Sequence, residues 1–331
     1  MTIPPGVHFI ERDWLSSNGV LFLGDGPATL VDTGYDKHRH LVRSVTGHLL
    51  GDRPLEQLIC THLHSDHCGG NAELQRTWNC RTWIPEGCAQ AVRDWNEDQL
   101  TFRDTGQRCE RFVHHAVLEE GQSLQLAGLH WQVIGAAGHD PDMLVLYCPS
   151  HRLLISSDAL WENGFGILFP ELDGEPAIAA QRSILQRLGE LEVDTVLPGH
   201  GPMFTDLAGA LRRAHSRLDY FERDPAGHAR YAVKALVKFR LLERERIRIE
   251  DAVNEVALVP LLARTNARHL HMSAEALGRW AIEALLAAGA ACTDGDAIIN
   301  PPAAHGPKDR PSTDRSSSGR SCSGPSLSGQ A

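Results

Sequence analysis

The sequence predicts an α+β chain in which two sheets pack face to face and helices cover both outer sides. Three observations predict it. Short apolar runs bounded by Gly, Asp and Thr fall into two clusters, one before residue 61 and one between residues 124 and 197. Helical patterns lie between and after these runs, and strands so arranged bury both sheet faces only if helices cover the outside. From about Gly227 the texture turns to Ala-, Leu- and Arg-rich helices. The expected units are residues 1–226, residues 227–300 and a tail, residues 301–331.

In order, Gly6 to Ile10, Gly19 to Leu23 and Ala28 to Asp32 alternate with turn signals such as Gly24-Asp25-Gly26 and Thr33-Gly34, and read as an antiparallel meander. A helical pattern covers Arg39 to Leu50, and Leu55 to Cys60 reads as a buried strand ending at Thr61. Leu124 to Ile134 reads as two strands around a Gly128 turn. Met143 to Cys148, Leu153 to Ser156 and Asp194 to Leu197 are further short strands, with helices at Pro176 to Leu191 and Thr205 to Phe221.

Beyond Gly227, helices at Ala229 to Glu243, Glu250 to Val256 and Ala274 to Leu286 precede a hairpin around Asp294-Gly295, the outline of a winged-helix-like module. Pro301 to Ala331 is rich in Ser, Gly and Pro, has few large apolar residues, and is expected to be disordered.

The formal charge of -10 is unevenly placed: residues 1–226 hold 18 Lys and Arg against 31 Asp and Glu, and residues 227–300 hold 10 against 9. An acidic first part and a nearly neutral module argue against nucleic acid, whose phosphates need Lys and Arg. The third helix of the module offers only Arg279 as a base. No apolar run approaches the roughly 20 residues that cross a bilayer, and Met1 to Pro5 lacks the basic start of a signal peptide. Eight cysteines without a C-x-x-C pair suit a reducing cytoplasm. A small-molecule substrate is the expected partner.

The chemistry begins at Thr61-His62-Leu63-His64-Ser65-Asp66-His67, three imidazoles and a carboxylate directly after a strand and before Gly69-Gly70. In an extended segment residues i and i+2 point the same way, so His62 and His64 can face one metal ion. As the chain turns into a helix, Asp66 and His67 come round to face a second position. Imidazole nitrogen and carboxylate oxygen suit zinc, manganese or iron. Three further donors follow other strand ends: His139 after Gly138, Asp158 after Ser157, and His200 in Pro198-Gly199-His200-Gly201.

This ordered set resembles the metallo-β-lactamase superfamily, and within it the glyoxalase II-like hydrolases, over residues 7–222. The resemblance implies an αββα sandwich and two divalent metal ions, zinc foremost. It places His62, His64 and His139 on the first ion, Asp66, His67 and His200 on the second, and Asp158 between them. Asp32, in Val31-Asp32-Thr33-Gly34, matches the family's early D-T-G turn and is expected to brace the metal-binding loops from behind. Such ions acidify a bridging water and polarise a carbonyl, so no serine or cysteine nucleophile is needed. Asp66 is the candidate to orient the hydroxide and shuttle a proton to the leaving group.

The resemblance also narrows the substrate. Asp158 stands where the antibiotic-degrading subgroups lack a bridging carboxylate, which argues against β-lactams. Related lactonases carry a tyrosine three residues after that Asp, and here the position is Trp161. Asp158 to Gly174 holds Trp161, Phe165 and Phe169 but no Lys or Arg, and reads as an apolar wall, with Trp161 and Phe165 as candidate pocket residues. The leading expectation is hydrolysis of a small-molecule thioester or ester-like bond. A mononuclear-iron persulfide dioxygenase, a lactonase and a signalling protein that keeps the metal site stand as alternatives.

Overall fold

The computed structural model describes residues 3–301. The tail expected to be disordered lies outside the described residues, apart from Pro301. The first sheet is built by β1 (Val7–Ile10), β2 (Gly19–Phe22) and β3 (Thr29–Val31), helix α1 (Arg39–Leu50), β4 (Gln57–Ile59), helices α2 (Ser65–Cys68) and α3 (Asn71–Trp78), β5 (Arg81–Pro85), helices α4 (Ala89–Asp94) and α5 (Phe102–Thr105), and β6 (Ala116–Leu118). Its strands lie side by side in sequence order. The meander from β1 to β3 is antiparallel as expected, whereas β4, β5 and β6 join in parallel. Strands β5 and β6 escaped the sequence reading because a run of three residues, and a run that mixes Arg, Thr and Trp, carry no clear period.

The second sheet follows: β7 (Ser123–Leu126), β8 (Leu129–Gly135), β9 (Leu144–Cys148), β10 (Leu153–Ser157), helices α6 (Phe169–Leu172) and α7 (Ala177–Gly189), β11 (Thr195–Pro198) and α8 (Leu207–Arg223). Its order is β11-β10-β9-β8-β7. Only β10 and β11 pair in parallel, across the α7 crossover.

Side-chain alternation builds the layers. Val31, Ile59, Val133, Leu146, Ile155 and Leu197 meet between the sheets around Trp131. Their neighbours Leu30 and Leu58 turn outward onto Val42, Leu50 and Leu74 of α1 and α3. On the other face, Leu154 and Val196 pack on Leu185 and Leu188 of α7 and Leu218 of α8. Strands buried on both faces therefore read as short continuous apolar runs.

The alternating directions carry a consequence for chemistry. Strands β3 and β4 are parallel, and β8, β10 and β11 run the same way as one another. The chain segments after them, which hold Asp32, His62, His139, Asp158 and His200, stitch together at one edge of the sandwich. Leu144 N–H donates to Thr61 C=O at 2.8 Å and Asn18 N–H to Gly199 C=O at 2.7 Å.

The C-terminal helical region comprises α9 (Pro225–Arg244), β12 (Arg246–Arg248), α10 (Ile249–Leu258), α11 (Pro260–Thr265), a π-helical turn (Asn266–Leu270), α12 (Ala274–Ala287), β13 (Cys292–Asp294) and β14 (Ala297–Ile299). Strands β12, β14 and β13 form a small antiparallel sheet. The region has its own core, with Val233, Leu236, Val253, Leu277 and Ile298 among its members. It docks through both apolar and polar contacts: Ala229 and Ala232 cluster with Leu172, Tyr35 Oη donates to Glu243 at 2.9 Å, and Arg264 forks onto Asp104 at 2.6 and 2.8 Å. Among the described residues no helix is long and apolar enough to cross a membrane.

At the junction of α8 and α9, His228 is 2% exposed and stacks on Phe221 with ring centroids 4.3 Å apart. Burial, aided by His269, holds its pKa down to about 4. In the unfolded chain an imidazole titrates near 6.5, so acidification protonates the unfolded state first. The stability His228 contributes is therefore complete above about pH 6.5 and lost as pH falls toward 4, by roughly 3 kcal/mol at most. Urea unfolding of wild type and His228→Phe, compared between neutral pH and about pH 5, is expected to show a shallower acid slope in the variant.

Candidate metal centre

Strand β4 ends at Ile59, the chain bends at Thr61 and His62, is extended again at His64 and enters α2 at Ser65, so the four donors of the first motif lie across a strand-to-helix change. The tight passage that follows depends on Gly69, where an added Cβ would lie 2.3 Å from Asp36 N and 2.6 Å from Ser65 O, both backbone atoms. Thr33 N–H donates to His67 C=O at 2.7 Å and ties this helix to the turn after β3.

Three groups of donors converge, each with ligand atoms within 4.8 Å of one another: His62, His64 and His139; Asp66, His67 and His200; and, between them, His62, His67 and Asp158. His64 Nδ1 lies 3.1 Å from His62 Nε2 and 2.7 Å from His139 Nε2. Asp158 spans the two outer groups. Its Oδ1 is 3.4 Å from His67 Nε2, and its Oδ2 is 3.4 Å from His139 Nε2 and 3.9 Å from His200 Nε2. His200 Nε2 also faces Asp66 Oδ2 at 3.1 Å.

For three of the rings the far side explains which nitrogen faces inward. His139 Nδ1 donates to Ile167 C=O at 2.6 Å, and His67 Nδ1 pairs with Asp32 Oδ2 at 2.8 Å. His62 Nδ1 sits 3.2 Å from Thr61 Oγ1 and 3.4 Å from Ser157 Oγ. With a proton held on the outer nitrogen, the inner one keeps a lone pair for a metal. Asp32 sits at φ 57°, a left-handed conformation that Asp tolerates better than most residues. From there it also accepts Thr61 N–H and Thr61 Oγ1–H, both at 2.8 Å, and so braces the start of the metal-binding loop and His67 together.

Electrostatics test whether a metal fits. Burial, reinforced by His67 and His64, pushes His62 well below the ordinary imidazole range, and burial with His139 takes His64 down to about 3. Burial likewise lowers His139, against the pull of Asp158. These rings are neutral donors. His67 is opposite: burial resists charge there, but Asp158 and Asp32 outweigh it and raise the ring well above its ordinary value. Burial works to raise Asp158 and Asp66, yet the facing imidazoles hold both carboxyls below their ordinary range. Converging lone pairs beside ionised carboxylates attract positive charge, which in the protein alone falls as a proton on His67 and which metal cations would supply instead. The residues fit the group.

Around this cluster Trp161 stacks edge-on to His200 at 5.3 Å and donates its Nε1–H to Asp158 Oδ1 at 3.2 Å. The other proposed pocket residue is displaced. Phe165 is 1% exposed and packs edge-on against Phe221 in the core, because Leu160, Leu168 and α8 enclose it. Besides Trp161, the aromatic ring of that segment that reaches the histidines is Phe169, 5.5 Å from His64 and 5.8 Å from His139. Ser65 Oγ–H donates to Gln107 and has no base beside it, and Cys68 Sγ turns back to the Leu63 and His64 carbonyls and to Cys109. His115 accepts Thr82 N–H, and His269 bonds Leu172 C=O.

Three contributors escaped the sequence reading. Asp140 Oδ2 lies 3.7 Å from His64 Nε2, and burial pushes its carboxyl up to about 7. Thr61 links Asp32 to Ser157 Oγ at 2.8 Å. Trp14 stacks parallel to His200. Adjacency to the motifs could have flagged Asp140 and Thr61, whereas nothing local marks Trp14.

Fold and site together define a metallo-hydrolase scaffold: a two-sheet sandwich with a histidine-rich metal site at one edge. The family model for the metallo-beta-lactamase superfamily matches residues 12–200, and the chain belongs to that superfamily. Over 196 residues it is 25% identical to a protein named probable metallo-hydrolase YqgX of Bacillus subtilis, a match covering 57% of this chain and 86% of the relative. It is 30% identical over 155 residues to a hydroxyacylglutathione hydrolase of Xanthomonas axonopodis, covering 46% of this chain and 50% of that protein. Among solved structures, a metallo-beta-lactamase family protein of Thermus thermophilus superposes with a TM-score of 0.55 at 20% identity, covering 90% of this chain and all of the other, a likeness of fold.

Proposed function

We propose that this protein is a dinuclear metal-dependent hydrolase of a small-molecule thioester or other ester-like bond. The observation that carries the proposal is the placement of Asp158 between two nests of imidazoles, one oxygen toward His67 and the other toward His139 and His200. His62, His64 and His139 would hold one ion, Asp66, His67 and His200 the other, with Asp158 shared. When bound, such a pair of divalent cations supplies an acidified water as nucleophile and a Lewis acid for the carbonyl.

The chain's own residues do the rest. Asp66, its side chain 16% exposed, is the donor most open to solvent among the site's carboxylates, and the facing His200 keeps it ionised. It is placed to orient the water, take its proton on a carboxylate oxygen and pass that proton to the leaving group. Trp161 and Phe169 keep bulk water from the cluster. An aromatic wall, and relatives named hydroxyacylglutathione hydrolase, favour an acyl thioester. Cys60, Cys68, Cys80, Cys88, Cys109 and Cys148 form no disulfide, which supports a cytoplasmic setting. The order helix, strand, helices and hairpin over residues 227–300 supports a winged-helix-like module, and its 10 Lys and Arg against 9 Asp and Glu weigh against a nucleic-acid partner.

Metal analysis with an assay panel of acyl thioesters, lactones and phosphodiesters tests this reading. Two zinc or manganese ions per chain are expected, with thioester or ester hydrolysis abolished by chelation and recovered on adding either metal. One iron per chain, with oxygen uptake on a persulfide, would replace hydrolysis by dioxygenation.

A further inference from the structure

We infer that Trp14 and Trp161 form a binding subsite for a flat aromatic group of the substrate, directly beside the candidate metal centre. The inference rests on the hydrolase reading and narrows its substrate to aryl-bearing acyl compounds.

Trp14 is 56% exposed, the largest side chain left so open among the described residues. Its ring is parallel to that of His200, with 1° between planes and centroids 5.4 Å apart. Trp161 stands edge-on to both, at 72° and 5.4 Å from Trp14 and at 73° and 5.3 Å from His200. Two indoles thus make a corner, and a histidine of the metal site is part of it. Aromatic groups favour such offset-parallel and edge-to-face partners, and a flat ring entering the corner meets both.

A single exposed apolar side chain is ordinary on a protein surface. The support beneath Trp14 is not. Leu15 N–H donates to Asp13 Oδ1 at 3.1 Å and Arg12 N–H to Asn18 Oδ1 at 2.7 Å, closing the turn on itself. Ser17 N–H donates to Asp66 C=O at 2.9 Å, while Asn18 bonds Gly199 C=O, Pro198 C=O and Gly201 C=O at 2.7, 3.0 and 2.8 Å. The turn that carries Trp14 is therefore anchored to the backbone of both loops that supply the second nest. Trp161 is fixed as firmly, its Nε1–H on Asp158 and its backbone N–H on Gly164 C=O at 2.7 Å. An aromatic surface ordered before the ligand arrives binds without a further ordering cost. Asp158, which holds Trp161 Nε1–H, and Asp66, which faces His200, are carboxylates at the reaction end, and Asp13 and Glu162 flank the two indoles in the chain, so the corner suits an uncharged ring rather than an anionic one.

Calorimetric titration of phenylacetate, cyclohexylacetate and acetate into metal-loaded wild type, Trp14→Ala and Trp14→Phe tests the subsite without turnover. Wild type is expected to prefer the flat ring over the puckered one. Trp14→Ala is expected to weaken phenylacetate about tenfold, the equivalent of one aromatic contact, while leaving acetate unchanged, and Trp14→Phe to restore most of the loss. Unchanged phenylacetate binding in Trp14→Ala overturns the inference. So does equal weakening of all three ligands, which would mean that Trp14 acts through His200. If the binding pattern holds but no ester or thioester is cleaved, the subsite stands and the hydrolase reading falls; cleavage without the pattern does the reverse.

Discussion

Replacing Asp158 with Asn is expected to lower ester or thioester hydrolysis by roughly a thousandfold or more, the size of several kcal/mol of lost Lewis-acid stabilisation. The metal content should fall by about one ion per chain under the same loading conditions. The effect should exceed that of losing one histidine, because this carboxylate alone faces both nests, with His67 on one oxygen and His139 and His200 on the other. An Asn keeps the shape and one acceptor but removes the charge that two cations would share. Steady-state kinetics with metal determination on the purified variant checks both parts, and wild-type kcat/KM with full metal content would refute the shared position.

The second large effect falls on a residue that touches no metal. Asp32→Ala leaves the buried Thr61 N–H and His67 Nδ1 without the partner they hold at 2.8 Å and takes from the Thr61 hydroxyl one of its two partners at that distance. Breaking a buried, charged hydrogen-bond network in this way costs about 3–5 kcal/mol of stability. Asp32→Asn should separate two roles. Its carbonyl can still accept Thr61 N–H, and Asn also tolerates φ 57°, so stability falls less. Its amide, however, points N–H at His67 Nδ1, which forces the ring proton to Nε2 and occupies the nitrogen meant for the metal. Metal affinity should then drop about 10–100-fold. Urea denaturation reads the first effect, and competition with a chelating dye reads the second.

The site was legible in the sequence to the extent that it is local. His62 and His64 are legible as a pair because alternate residues of an extended chain share a face, although the chain bends at His62 before it extends at His64, and Asp66 and His67 turn away because a helix starts at Ser65. The short apolar runs mark every strand that leads to a donor, β3, β4, β8, β10 and β11, since burial on both faces leaves a continuous signature. Strands β5 and β6 lacked that signature and were missed, and with them the parallel half of the first sheet. Phe165 and Phe169 were indistinguishable in sequence, because whether a loop aromatic faces a pocket or the core depends on what packs behind it. Here α8 stands behind Phe165 and the C-terminal region packs against Phe169.

The sequence by itself determined the chemistry on offer: nitrogen and oxygen donors, their order, and their place at strand ends. Those are properties of residue type and of backbone geometry over a few residues. Only the tertiary structure decided that these ends meet, because the direction of each strand is set by pairing with distant partners and the gap between the sheets by the packing of Trp131 and its neighbours. Likewise only the tertiary structure brought Trp14 to His200, through hydrogen bonds from residues 17 and 18 to loops around residues 66 and 199. Contacts between segments so far apart along the chain leave no local periodicity to read, since they are fixed by packing rather than by the run of residues on either side.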